Sequence, residues 1–144
     1  TVTVSNQASP LIFKNGNTSS FALLSYAGAL QSLSFDIGNS IVYRELVGET
    51  KEVLLTDRAA SGSVTIEAPT MAQKDYFSAA LSDTSLGNIQ VTHGTAAGNI
   101  CKFSSTKVDI GDVSYGEMDG VNMLEIPYTL VPSSANDELT FLFT

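Results

Sequence analysis

From Ser61 to Glu67 the chain alternates, with Val64 and Ile66 set against Ser63, Thr65 and Glu67. A period of two puts both apolar side chains on one face of a strand. At Pro69 the period changes. Met71, Ala72, Tyr76, Phe77, Ala80 and Leu81 then fall at spacings that gather on one stripe of a helix. Pro69 is tolerated in a first turn, and Thr70 can cap a helix that starts one residue later. The spacing therefore predicts a helix over about residues 70–82. No other stretch carries a helical stripe, so this helix must bury its face against a β framework.

The rest of the chain reads as strand and turn. Leu33, Phe35 and Ile37 alternate against Ser32, Ser34 and Asp36. Phe21–Ala29, with Gly28 inside it, reads as a strand with a bend. Ile41–Val47 and Val53–Leu55 flank a polar, glycine-broken stretch, the pattern of a hairpin with a charged tip; Thr56–Ser61 then reads as a connection. Ile89 and Val91 resume the alternation, with His93 on their parity. Leu124, Ile126, Tyr128 and Leu130 share one face of a long strand over 121–131. Pro127 lies on its other face, which argues for an edge or a bulge. Leu139, Phe141 and Phe143 line one side of a last strand. The expected fold is mainly β: an antiparallel β-sandwich or partly closed barrel with one flanking helix. At 144 residues the chain fits a single domain over 1–144, with 1–10 as an arm or edge strand.

Charge separates function classes more sharply than motifs do. Seven Lys and Arg stand against fifteen Asp and Glu, a net charge of −8, which argues against a sequence-specific reader of nucleic acid. Seven of the acids (Asp109, Asp112, Glu117, Asp119, Glu125, Asp137 and Glu138) follow Lys107, and no base does. The glycines at 111, 116 and 120 among them do not reproduce the spacing of an acidic calcium loop. Gly94–Asn99 is glycine-rich but lacks the Lys-Ser/Thr that a phosphate loop needs. A lone His93 offers no multi-histidine metal site. Cys101, beside Ile100 and Phe103, reads as a half-buried structural thiol. No apolar run approaches the roughly twenty residues of a membrane helix, and no basic segment before an apolar block marks a signal peptide.

Three stretches are familiar together: FDIGNSIVYRELVGETKEVLLTDRAASGSVTIEAP running into the helix, HGTAAGNI after it, and LEIPYTLVPSSANDELTFLF at the end. They resemble the tail tube (major tail) proteins of long-tailed bacteriophages over most of Leu33–Phe143; the residues before Leu33 match least. The resemblance implies a β-sandwich with a flanking helix, assembled as hexameric rings that stack into a hollow tube. DNA would pass through without sequence-specific binding. It implies contacts with other copies and other tail proteins, no cofactor, no catalysis, and a place in the virion after assembly in the host cytoplasm. Some relatives are trimers of two-domain subunits, so the chain is either a whole subunit or the C-terminal domain of a longer one.

By position, the hairpin matches one that contacts the adjacent ring, which makes Arg44, Glu45, Glu49, Lys51, Glu52, Asp57 and Arg58 the candidate interface residues. Asp109, Asp112, Glu117 and Asp119 are candidates for an acidic lumen that keeps DNA from sticking. Two other readings stand beside this one. One is another ring protein of the same superfamily, such as a tail terminator or secretion-tube component. The other is a carbohydrate- or receptor-binding β-sandwich, against which the absence of Trp as a sugar platform weighs. For an enzyme, only a carboxylate pair such as Asp112 with Glu117 is on offer, and nothing places it in a cleft.

Overall fold

The computed structural model describes residues 11–48, 51–82, 86–134 and 136–144; the arm expected over 1–10 lies outside them. In chain order the elements are β1 (Thr18–Leu23), β2 (Leu30–Asp36), β3 (Asn39–Arg44), β4 (Glu52–Arg58), β5 (Ser61–Glu67), α1 (Tyr76–Ala80), β6 (Gly87–His93), β7 (Cys101–Ile110), β8 (Ser114–Met118), β9 (Val121–Leu130) and β10 (Thr140–Phe143). One antiparallel sheet runs β1-β6-β7-β9-β5-β2, with β10 on β7 and β8 on β9, while β3 and β4 pair only with each other.

Two long strands bend this sheet into two layers. β7 bonds β6 and β10 through its first half and passes to β9 at Val108–Ile110. β9 bonds β8 through Val121–Glu125 and meets β7 at Tyr128–Leu130. The inward residues of both layers, among them Val64, Ile66, Ile89, Val108 and Ile126, are fully buried in one core. Each such side chain contributes about 1.5–3 kcal/mol by leaving water. The barrel does not close. β2 comes near β7 and β10 through its phenylalanine, Phe35 stacked on Phe103 of β7 at 4.8 Å and tilted against Phe141 of β10 at 5.5 Å, and among the described residues β2 and β10 do not pair as strands.

The alternation of β2, β5 and β9 is as expected, and three local expectations are corrected. Pro127 is on a central strand, between β5 and the β8/β7 side. It is tolerated because β9 changes neighbour there: β8 ends opposite Glu125 and β7 begins opposite Tyr128, so the missing N–H falls in the gap. The segment after Leu55 continues β4 to Arg58 rather than forming a connection. The bend expected within Phe21–Ala29 falls at Leu24 and Ser25, which take positive φ. The helix is α1 alone, much shorter than residues 70–82.

Asp75 is the reason for that last difference. A single turn forms at Thr70, whose carbonyl accepts from Gln73 and Lys74 N–H. Asp75 then adopts an extended conformation and accepts the Ser78 N–H at 3.0 Å, so the helix starts afresh at Tyr76. A short acceptor side chain competes with helix continuation in this way. The Ser78 hydroxyl and N–H hold the Asp75 carboxyl below its ordinary range. The stripe is broken with the helix: Tyr76 is fully buried, but Leu81 is 87% exposed and Met71 lies outside the helix, also exposed.

Two buried tyrosines fix the layers from inside. The Tyr76 hydroxyl donates to the Leu23 carbonyl at 3.2 Å, and that of Tyr128 to the Ser34 carbonyl at 2.8 Å. A Cβ at Gly62 would stand 2.2 Å from the Ser34 carbonyl oxygen and 2.6 Å from the Tyr128 hydroxyl. Glycine is required there so that β2, β5 and the phenol can approach. Burial pushes the Tyr128 phenol up to about 12, and Tyr76 is raised further, by burial and then by Tyr26. In the unfolded chain each phenol ionises near pH 10. The unfolded state therefore binds fewer protons above that pH, and stability complete below pH 10 is lost as pH rises toward 12. Urea midpoints measured from pH 9 to 12 should fall steeply, and the fall should be shallower in Tyr128→Phe; equal slopes would refute the assignment.

Candidate assembly surfaces

The β3–β4 hairpin leaves the body through a narrow neck. Gly38, at φ +63, brings its backbone so near Ala59 that a Cβ would lie 2.3 Å from the Ala59 carbonyl oxygen. Beyond the neck the register pairs Ile41 with Leu55, Val42 with Leu54, Tyr43 with Val53 and Arg44 with Glu52. Strand alternation then puts Ile41, Tyr43, Val53 and Leu55 on one face. All four are more than half exposed, and so are Leu46 and Val47 toward the tip. A two-stranded ribbon has no second layer with which to cover such a face. Soluble monomers rarely leave contiguous apolar patches bare.

The charged residues expected to make the interface are mostly engaged within the ribbon. Arg44 pairs with Glu52 across the strands, and Lys51 with Glu45 at 2.7 Å. Both are surface pairs, worth at most about 1 kcal/mol each. Asp57 accepts the Arg58 N–H at 2.8 Å. Arg58 turns back to the body, where its guanidinium meets Glu138 and donates to Asn136 at 2.8 Å. Glu49 lies outside the described residues. What the charge pattern did not reveal is the apolar quartet. Its signal was present as two uninterrupted runs, Ile41-Val42-Tyr43 and Val53-Leu54-Leu55.

The four acids proposed for a lumen do not share a face. Asp109 is exposed on β7 opposite Thr129. Asp112 follows that strand, Glu117 lies on β8 opposite Asn122, and Asp119 sits in the β8–β9 turn with φ 52. Following the register across the outer layer gives a different set. Asp36 faces Ser61, then Thr129, then Asp109; Ser32 faces Thr65, then Glu125, then Ser114; Glu67 faces Met123, then Gly116. Between them runs Ser34, Ser63 and Pro127, the two hydroxyls bonded at 2.9 Å. The face turned from the core thus carries hydroxyls and small groups with the carboxylates of Asp36, Glu67, Asp109 and Glu125, and Met118, Val121 and Met123 at its β8–β9 end. No basic residue belongs to the rows named, though Lys107, whose carbonyl accepts the Val131 N–H, stands next to the Asp109 row on β7. At its two sides β2 and β8 have free edges among the described residues, and neither is blunted by Lys or Pro.

His93 and Cys101 face each other in register across β6 and β7. The His93 ring is taken up by the Thr18 hydroxyl at 3.2 Å and the Leu11 carbonyl at 3.1 Å, and Phe13 stacks on it at 5.2 Å. It pins the segment before β1 to the end of β6. Among the described residues no three His, Cys, Asp or Glu side chains converge as a metal site, and no helix is long and apolar enough to cross a membrane.

No protein-family model matches the chain, and no curated protein is significantly similar to it in sequence. Solved structures do share its fold. A chain of the anti-feeding prophage cap, which terminates the AFP tube, superposes with a TM-score of 0.67 over 97% of this chain and 97% of its own, at 10% identity. A chain from the tail of an empty gene transfer agent particle, refined with C6 symmetry, gives 0.53 over 91% of this chain and 98% of its own, at 18% identity. At these identities the likeness is one of fold: an architecture found in phage-type tail and tube-cap assemblies.

The quartet makes a prediction independent of that likeness. Ile41→Thr with Val53→Thr and Leu55→Thr keeps strand-compatible shapes while removing exposed apolar area, so the subunit should keep its stability to within about 1 kcal/mol. Self-association measured by sedimentation should weaken at least tenfold. Undiminished association would show that this face is not an interface.

Proposed function

We propose that the chain is a non-catalytic structural subunit of a phage-type tail, which joins copies of itself into rings that stack as a conduit for DNA. The observation that carries this is the outer face of the β2-β5-β9-β8 layer. It holds the carboxylates of Asp36, Glu67 and Glu125 among hydroxyls, with Met118, Val121 and Met123 at one end and Asp109 of β7 closing one row; its four strands carry no base there, and it ends on both sides in an unblunted strand edge. Pairing the β2 edge of one copy with the β8 edge of the next would satisfy both edges and extend the layer around a ring. Six-fold symmetry, as in the gene transfer agent tail, is the arrangement proposed. The acidic face would then line the hole. DNA sticks to a protein largely by replacing its counterions with Lys and Arg; β2, β5, β9 and β8 offer neither on this face, and Lys107 stands only at its β7 margin, so the face would repel the polymer and let it slide. The exposed hairpin would bind the neighbouring ring.

A second reading has its own support. The anti-feeding prophage structure with the same fold is a cap that terminates a tube, so the subunit would close a tube rather than build its length. Electron microscopy of concentrated protein separates the two: long hollow tubes fit the tube subunit, single rings that refuse to stack fit the cap. A protein that remains dispersed sinks both.

The lumen assignment is tested by Asp36→Lys, Glu67→Lys, Asp109→Lys and Glu125→Lys combined. Assemblies of this variant should retain double-stranded DNA on filters at low salt and release it steeply as salt rises, while the parent retains none. Equal behaviour of the two would place the face outside the conduit.

A further inference from the structure

Among the described residues, Glu138 is the one buried acid. Its side chain is only 9% exposed. One carboxylate oxygen meets the Arg58 guanidinium, and the other is buried with no hydrogen-bond partner. Arg58, the last residue of β4, is 27% exposed and also donates to Asn136. The three line a surface cleft with Pro132, Ser133 and Ser134. Asp137 beside them is occupied elsewhere, accepting the Ser133 and Ser134 N–H groups at 2.8 and 2.9 Å. Among the described residues, Arg58 makes the sole polar side-chain contacts between the hairpin and the body.

The rest of the attachment is the neck, where Gly38 at positive φ and Ala59 run close together. Two adjacent backbone segments fix where a ribbon starts but leave its angle soft. We infer that the Arg58–Glu138–Asn136 clasp sets the angle at which the hairpin leaves the body, and that it serves direction rather than stability. The unpaired oxygen is the physical reason for the second part. A half-satisfied buried ion pair returns little of what its desolvation costs, and replacing both partners by apolar groups is often neutral. This rests on the reading of the hairpin as a contact to another copy, because only then does its angle matter.

The test is made on the dispersed subunit, so it does not depend on whether rings form. Spin labels at Val42→Cys on the hairpin and Thr106→Cys on the body, with Cys101→Ser, report their separation by pulsed electron resonance. The clasp intact, the distribution should be narrow. In Arg58→Leu with Glu138→Leu it should broaden at least twofold while Tm stays within a few degrees. The singles should differ: Arg58→Leu strands a buried charge and should lower Tm most, whereas Glu138→Leu leaves an arginine that can reach water and should broaden the distribution with a smaller loss. A distribution as narrow in the double variant and in Glu138→Leu as in the parent overturns the inference. So does a loss of Tm in the double as large as in Arg58→Leu, which would make the pair a stability contact. Broadening in the double variant of a parent that forms no rings or tubes would support the clasp and overturn the hairpin's role in the tube instead.

Discussion

The pairing of Val108–Ile110 with Tyr128–Leu130 is the constraint on which the rest of the structure depends. Without it the chain would make two separate antiparallel sheets, each with an apolar face in water. With it, one sheet folds onto itself and Val64, Ile66, Ile89 and Ile126 meet in a common interior. It also explains why β7 and β9 are the longest strands: each serves different neighbours at its two ends. Pro127 fits because a strand that changes partner has a position where an N–H is not required on that side. Gly62 fits for a related reason, since Tyr128 must pass its hydroxyl to β2 through the space a Cβ would fill.

Much of this was legible in the sequence because period two is a strong signal. The faces of β2, β5 and β9 follow from alternation alone, and so does the hairpin, from two apolar runs around a glycine-broken turn. The helix was legible in place but not in extent. Its spacing is helical from Met71 to Leu81, but spacing cannot weigh Asp75 as an interior residue against Asp75 as a cap, and the cap wins because its carboxylate takes the Ser78 N–H. The strand partners were not legible. Whether β7 meets β9 depends on contacts far apart in the chain, and no local pattern carries that information.

The same limit governs the candidate surfaces. A dense run of acids after Lys107 suggests one acidic patch, but in a β protein, nearness in sequence scatters side chains over two faces and several turns. Nearness in register gathers them. Asp36 and Asp109 are far apart in the chain and stand in one row across four strands, whereas Asp109 and Asp119 are neighbours in sequence and share nothing. Only the pairing of β2 with β5, β5 with β9, and β9 with β7 brings the row together.

The hairpin shows how stability and assembly divide in such a molecule. Its apolar quartet adds nothing to the core it never touches, and in water it carries a cost that only contact with another surface removes. Four of its charges, by contrast, are settled within the ribbon, where Arg44 pairs with Glu52 and Lys51 with Glu45, while Arg58 turns back to Glu138 on the body. In the proposed assembly these local charge pairs would keep the ribbon in one form, and the exposed side chains Ile41, Tyr43, Val53 and Leu55 would supply the drive to associate. A ribbon built the other way, with its charges unpaired and its apolar residues turned inward, would have no interior to turn them into. Two strands alone have two faces and no core, so their apolar side chains stay in water unless another surface covers them.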